Sequence, residues 1–96
     1  MALTRLERHR LSSQYRRRLE EGWTFLLMFL DTLVVIPQVA LSTPQAASDY
    51  LARFVQWIFD SGRPIGLARH GVLAAQTFRR SIREKITRAW DAIKSW

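Results

Sequence analysis

"GWTFLLMFLDTLVVIPQVALS", residues 22–42, is the stretch whose reading decides the fold. It has the length of a bilayer span, about 20 residues, yet Asp31 sits in its middle and Pro37 near its end. An aspartate at the centre of a span costs about 2.5–3.5 kcal/mol on an insertion scale, which the apolar residues from Phe25 to Ile36 can outweigh.

Outward from this stretch, the chain before it is helical. Residues 3–36 hold no proline and no glycine except Gly22. Leu3, Leu6, Leu11, Tyr15, Leu19, Trp23, Leu26 or Leu27, Leu30 and Val34 recur mostly every three or four positions, a single helical stripe. From Trp23 onward other faces fill as well. Trp23, Phe25, Leu26, Leu27, Phe29, Leu30, Leu33, Val34 and Ile36 form a rod apolar nearly all round, which needs burial in protein or lipid. Pro37 lacks an N–H and disfavours helix at Ile36. Ser42 or Thr43 can then cap a second helix with Pro44 at its first position. That helix carries Ala47, Tyr50, Leu51, Phe54, Val55, Ile58 and Phe59 on one face, and "DSGRP", residues 60–64, stops it.

The last segment carries two rows at sevenfold spacing: Ile65, Val72, Arg79, Ile86, Ile93 and Ala68, Ala75, Ile82, Ala89, Trp96. They make a packing seam, interrupted at Arg79, whose alanines let another helix come close. The spacing thus predicts an all-α chain of three helices, near 3–36, 45–60 and 64–95. The chain is read as a single small domain over 1–96, with a basic arm (1–22), an apolar hairpin (23–60) and a basic amphipathic helix (64–96). The hairpin bends between Pro37 and Pro44 and returns both arms to one end. Asp31 and Arg53 lie equally far from a bend at residue 42, so the hairpin allows a buried ion pair between them; the alternative is that each simply reaches water or a polar groove.

The net charge is +7, almost all from arginine, and the chain has no cysteine, which excludes disulfides and thiolate metal sites. The charge sits at the two ends. Residues 1–21 hold six arginines against three glutamates, and residues 62–96 hold eight basic against two acidic side chains. Arg16, Arg17 and Arg18, with Arg79, Arg80, Arg83, Lys85 and Arg88, are the candidate contacts to phosphate, of anionic lipid or of a nucleic-acid backbone. Glu20 and Glu21, directly before the apolar run, argue against a cleaved secretory signal.

No catalytic pattern stands out. The two histidines, His9 and His70, lack converging acidic partners, and no serine has a His–Asp neighbourhood. The expectation is a non-enzyme with no metal, no cofactor and no small-molecule substrate. It is a membrane-associated helical subunit or scaffold, with its basic arms on the cytoplasmic side. Its partners are anionic lipid and a protein or a second copy. A coat-like subunit that packages nucleic acid in a virion or nucleoprotein, and a soluble helical adaptor, use the same residues differently.

Overall fold

The computed structural model describes residues 5–78 and 87–96, with side chains over 13–78 and 88–96. The described residues are helical, with no strand among them, and form five helices rather than the three the spacing predicts. These are α1 (Arg5–Thr32), α2 (Pro37–Ala40), α3 (Pro44–Asp60), α4 (Ile65–Phe78) and α5 (Thr87–Lys94). Twenty-eight residues of α1 make a rod of about 42 Å, which accounts for the long dimension of 43 Å.

The first rod stops four residues earlier than expected. Val35 N–H donates to the Leu30 carbonyl (3.0 Å) and Val34 N–H to that of Asp31 (3.0 Å). This paired pattern closes a helix with one residue in the left-handed region, here Val34 at φ 56°. Pro37 then opens α2 instead of ending α1. The start of α3 agrees with the sequence: Thr43 caps it by accepting from Ala46 N–H (3.1 Å), and Pro44 takes the first position. Its end repeats the closure of α1. Arg63 N–H donates to Ile58 and Gly62 N–H to Phe59, with Gly62 at φ 69°.

The apolar hairpin of α1 against α3 is not what the chain builds. The backbone of α1 packs chiefly on α4 and that of α3 chiefly on α5, while α1 meets α3 mainly through side chains, Phe29 on Phe54 and Trp57 among them. The cause is a glycine crossing. A Cβ on Gly22 would lie 2.4 Å from the Gly71 nitrogen and 2.6 Å from the His70 carbonyl carbon. A Cβ on Gly71 would lie 2.4 Å from the ring of Phe54. The backbones of α1 and α4 therefore meet directly, and α3 seats its largest buried side chain on the same spot. Around this point Leu26, Phe29 and Leu30 of α1 bury with Ala47, Leu51, Phe54, Val55 and Ile58 of α3 and Ala68, Val72 and Ala75 of α4. Arg63, in the α3–α4 turn, lies over the Phe25 ring at 4.5 Å and fastens that turn to α1.

The third rod expected at 64–95 is also divided. α5 lies against α3 and touches α4. Ala89 and Ile93 bury on the α3 side, and Arg88 donates to Asp49 of α3 (3.1 Å). Among the described residues no helix is long and apolar enough to cross a membrane. The apolar part of α1, from Trp23 to Thr32, is only about 15 Å long, half the hydrocarbon thickness of about 30 Å.

Gly22→Ala should lower unfolding stability by about 2–3 kcal/mol in urea denaturation, because only backbone faces the new methyl. Gly66→Ala, whose methyl meets open space, should raise it by about 0.5 kcal/mol. Equal effects at the two positions would contradict the crossing.

Candidate interaction site at the apolar tip

The segment that joins α1 to α3 is the most unusual surface of the molecule. No charged residue lies between Asp31 and Asp49. Leu33, Val34, Ile36 and Val39 are exposed there, and Leu27 and Met28 continue the exposure onto the last turns of α1. Val34 is 92% exposed. A β-branched residue at positive φ is a genuine outlier, and holding it there costs about 1–3 kcal/mol. The same closure at the end of α3 uses Gly62, which adopts that backbone without strain.

The tip is held from below. Ala40 and Leu41 are fully buried, and Val35 packs against the core beside Leu30, the apolar contact that accompanies this type of helix end. Its polar groups turn inward on themselves. The backbone N–H groups of Leu33, Val34, Val35, Val39, Ala40, Leu41 and Ser42 all donate to carbonyls between Leu30 and Val39. The Thr32 hydroxyl donates to the Phe29 carbonyl (2.6 Å) and the Ser42 hydroxyl to that of Val39 (2.8 Å). Leu33, Val34, Ile36 and Val39 face outward together, flanked by the exposed polar side chains of Thr32, Gln38, Ser42 and Thr43.

The residues singled out from sequence divide among several places. Of the apolar rod, Leu26, Phe29 and Leu30 are core and Trp23 and Phe25 are half-buried, whereas Leu27, Leu33, Val34 and Ile36 face out. The Asp31–Arg53 pair does not form. Asp31 is exposed, and Arg53 pairs with Asp49 one turn earlier on α3 (3.2 Å), both partners being partly solvated. The reason is that α1 is committed to α4, so Arg53 has no α1 carboxylate opposite it and takes the nearest one on its own helix. Asp49 thereby accepts from both Arg53 and Arg88. Arg16, Arg17 and Arg18 are exposed and form no ion pair among the described residues. They stand roughly 22 Å down α1 from the tip. Arg79, Arg80, Arg83 and Lys85 lie outside the described residues.

The sevenfold seam packs inside the molecule. Ala68, Val72, Ala75, Ala89 and Ile93 are buried, Ile65 and Trp96 are half-buried, and Ile82 and Ile86 lie outside the described residues. His70 meets the Tyr15 ring edge-on at 6.2 Å. Among the described residues no three His, Asp or Glu side chains converge. Sequence reasoning missed both the strain at Val34 and the glycine crossing. The available signal was Gly22, the one glycine in an otherwise glycine-free helical stretch. Comparison with protein-family models, curated proteins and solved structures finds no match.

Val34→Gly should relieve the left-handed strain and raise thermal or urea stability by about 1 kcal/mol, against the usual loss when glycine is introduced. A destabilised variant would show that Val34 is unstrained.

Proposed function

We propose that this chain is a small, non-catalytic, membrane-associated helical protein that sits on the bilayer by its apolar tip and serves as a subunit or scaffold of a larger assembly. The single observation that carries the reading is the exposed apolar turn formed by Leu33, Val34, Ile36 and Val39, within a stretch that has no charge between Asp31 and Asp49. Three physical arguments support lipid as its counterpart. Val34 stands 92% exposed, and a soft hydrocarbon phase receives such a side chain without a matching groove. Most of the tip's backbone donors and both hydroxyls at its base are already bonded, which removes most of the desolvation cost of entering a low dielectric. The net charge of +7 favours approach to anionic headgroups, over a Debye length of about 8 Å at physiological salt.

Insertion of this kind is interfacial. The tip reaches the acyl boundary while the helices remain above it. Leu33, Val34, Ile36 and Val39 supply the buried area, at roughly 25 cal/mol per Å² removed from water. Arg16, Arg17 and Arg18, well up α1, are then presented to headgroups of a curved surface or to an acidic partner.

The chain contains no cysteine, so Val34→Cys gives a unique attachment point for an environment-sensitive fluorophore. Vesicles containing anionic lipid should shift its emission to the blue. Val34→Asp should weaken vesicle cosedimentation about tenfold, and a label introduced by Gln45→Cys should stay in water. Unchanged emission from the Val34→Cys label on adding vesicles, together with tight salt-sensitive binding of nucleic acid, would replace this reading by the coat-like one.

A further inference from the structure

A second surface lies between α1 and α4, near the middle of α1. Leu19 and Trp23 of α1 and Ala74 and Phe78 of α4 wall a groove of about 270 Å³. Trp23 and Phe78 lie against one another at 4.8 Å between ring centroids, tilted by 33°, and give the groove an aromatic side. Its lining is almost wholly apolar. The Thr77 hydroxyl at its edge is already spent on the Leu73 carbonyl (3.0 Å).

Two charges stand on the rim, Arg16 and Glu20. They are one helical turn apart, a separation of about 5–6 Å between Cβ atoms. Paired with each other they would neutralise the rim, but neither side chain forms an ion pair or hydrogen bond among the described residues. Among the described residues the groove thus offers an apolar wall with a guanidinium and a carboxylate, not paired with each other, beside the indole of Trp23. A purely anionic amphiphile would meet repulsion at Glu20, and a purely cationic one at Arg16. A headgroup carrying both signs satisfies both. Phosphate suits the planar donors of arginine. An ammonium suits a carboxylate flanked by tryptophan, the ring type that attracts cations most strongly.

We propose that the groove binds a single-chain zwitterionic phospholipid. The acyl chain lies along Leu19, Trp23, Ala74 and Phe78, the phosphate sits on Arg16, and the ammonium sits at Glu20 over Trp23. Occupancy reads out directly, because Trp23 is part of the wall. The site needs no bilayer, so it stands or falls apart from the tip.

The test uses dodecylphosphocholine below its micellar concentration, followed by tryptophan emission and by calorimetry, on the full chain. Wild type should bind stoichiometrically, and glycerophosphocholine, which has the head without the chain, should not. Arg16→Ala and Glu20→Ala, both at exposed positions, should each weaken binding roughly tenfold. Thr77→Phe, also exposed, should fill the groove and abolish binding while circular dichroism stays native. With dodecyl sulfate, Glu20→Ala should instead strengthen binding. If Glu20→Ala leaves phosphocholine binding unchanged or tighter, the zwitterionic assignment is overturned. If Thr77→Phe binds as wild type does, the groove is not the site.

Discussion

The meeting of two glycines organises this molecule. Where α1 crosses α4, Gly22 and Gly71 leave no room for a single methyl, so two backbones touch. Close approach brings more atoms into van der Waals range than side chains alone would allow. It also shapes the hollow into which Phe54 of α3 inserts its ring. α3 is thereby positioned by the crossing, and α5 in turn by α3, through Ala89, Ile93 and the Asp49–Arg88 contact. Phe29 extends the arrangement by meeting Phe54 and Trp57 at centroid distances of 6.0 and 5.5 Å. A chain of fewer than 100 residues has a small core, and one that hangs from a single crossing has little redundancy.

The crossing also explains why an apolar rod long enough to suggest a span becomes core and tip instead. α4 covers one side of α1 and takes Leu26, Phe29 and Leu30 out of water. The helix then closes at Thr32, before its apolar run is finished. The remaining apolar residues have no helix to bury them, and they become the exposed turn that carries Val34, Ile36 and Val39. Local helix propensity favours continuing to Ile36, but continuing would carry Val35, Ala40 and Leu41 away from the core they now fill. Packing wins because burying such side chains is worth about 1.5–3 kcal/mol each for the larger ones, more than the cost of one strained residue.

Much of the local structure was legible in the residues themselves. The all-α class, the Thr43–Pro44 start of α3, its apolar face and its stop at Gly62 follow from period and capping chemistry. The pairing of helices was not legible, since it depends on which surfaces carry the smallest side chains. Gly71 reads in sequence as a weak point of a helix, and only the fold shows it as the contact that selects α4 over α3 as the partner of α1. The symmetric placement of Asp31 and Arg53 is a property of the linear chain. It says nothing once α1 turns its face to another helix, and Arg53 then takes Asp49 on its own helix. The groove at Trp23 and Phe78 was equally hidden, because its two walls are more than fifty residues apart in sequence.

The two helix ends of the chain make an internal comparison. Both close by the same pair of backbone hydrogen bonds, and both place one residue in the left-handed region. At the end of α3 that residue is glycine, it is flanked by Ser61 and Arg63, and the turn is polar. At the end of α1 it is valine, flanked by Leu33 and Val35, although glycine would carry less strain. Val34 returns nothing to the fold for that strain, since almost all of its surface faces outward. The proposed membrane contact would give such a residue a use outside the molecule. Under the reading proposed above, hydrocarbon is the counterpart of this turn, where the Thr32 and Ser42 hydroxyls are already bound to its own carbonyls.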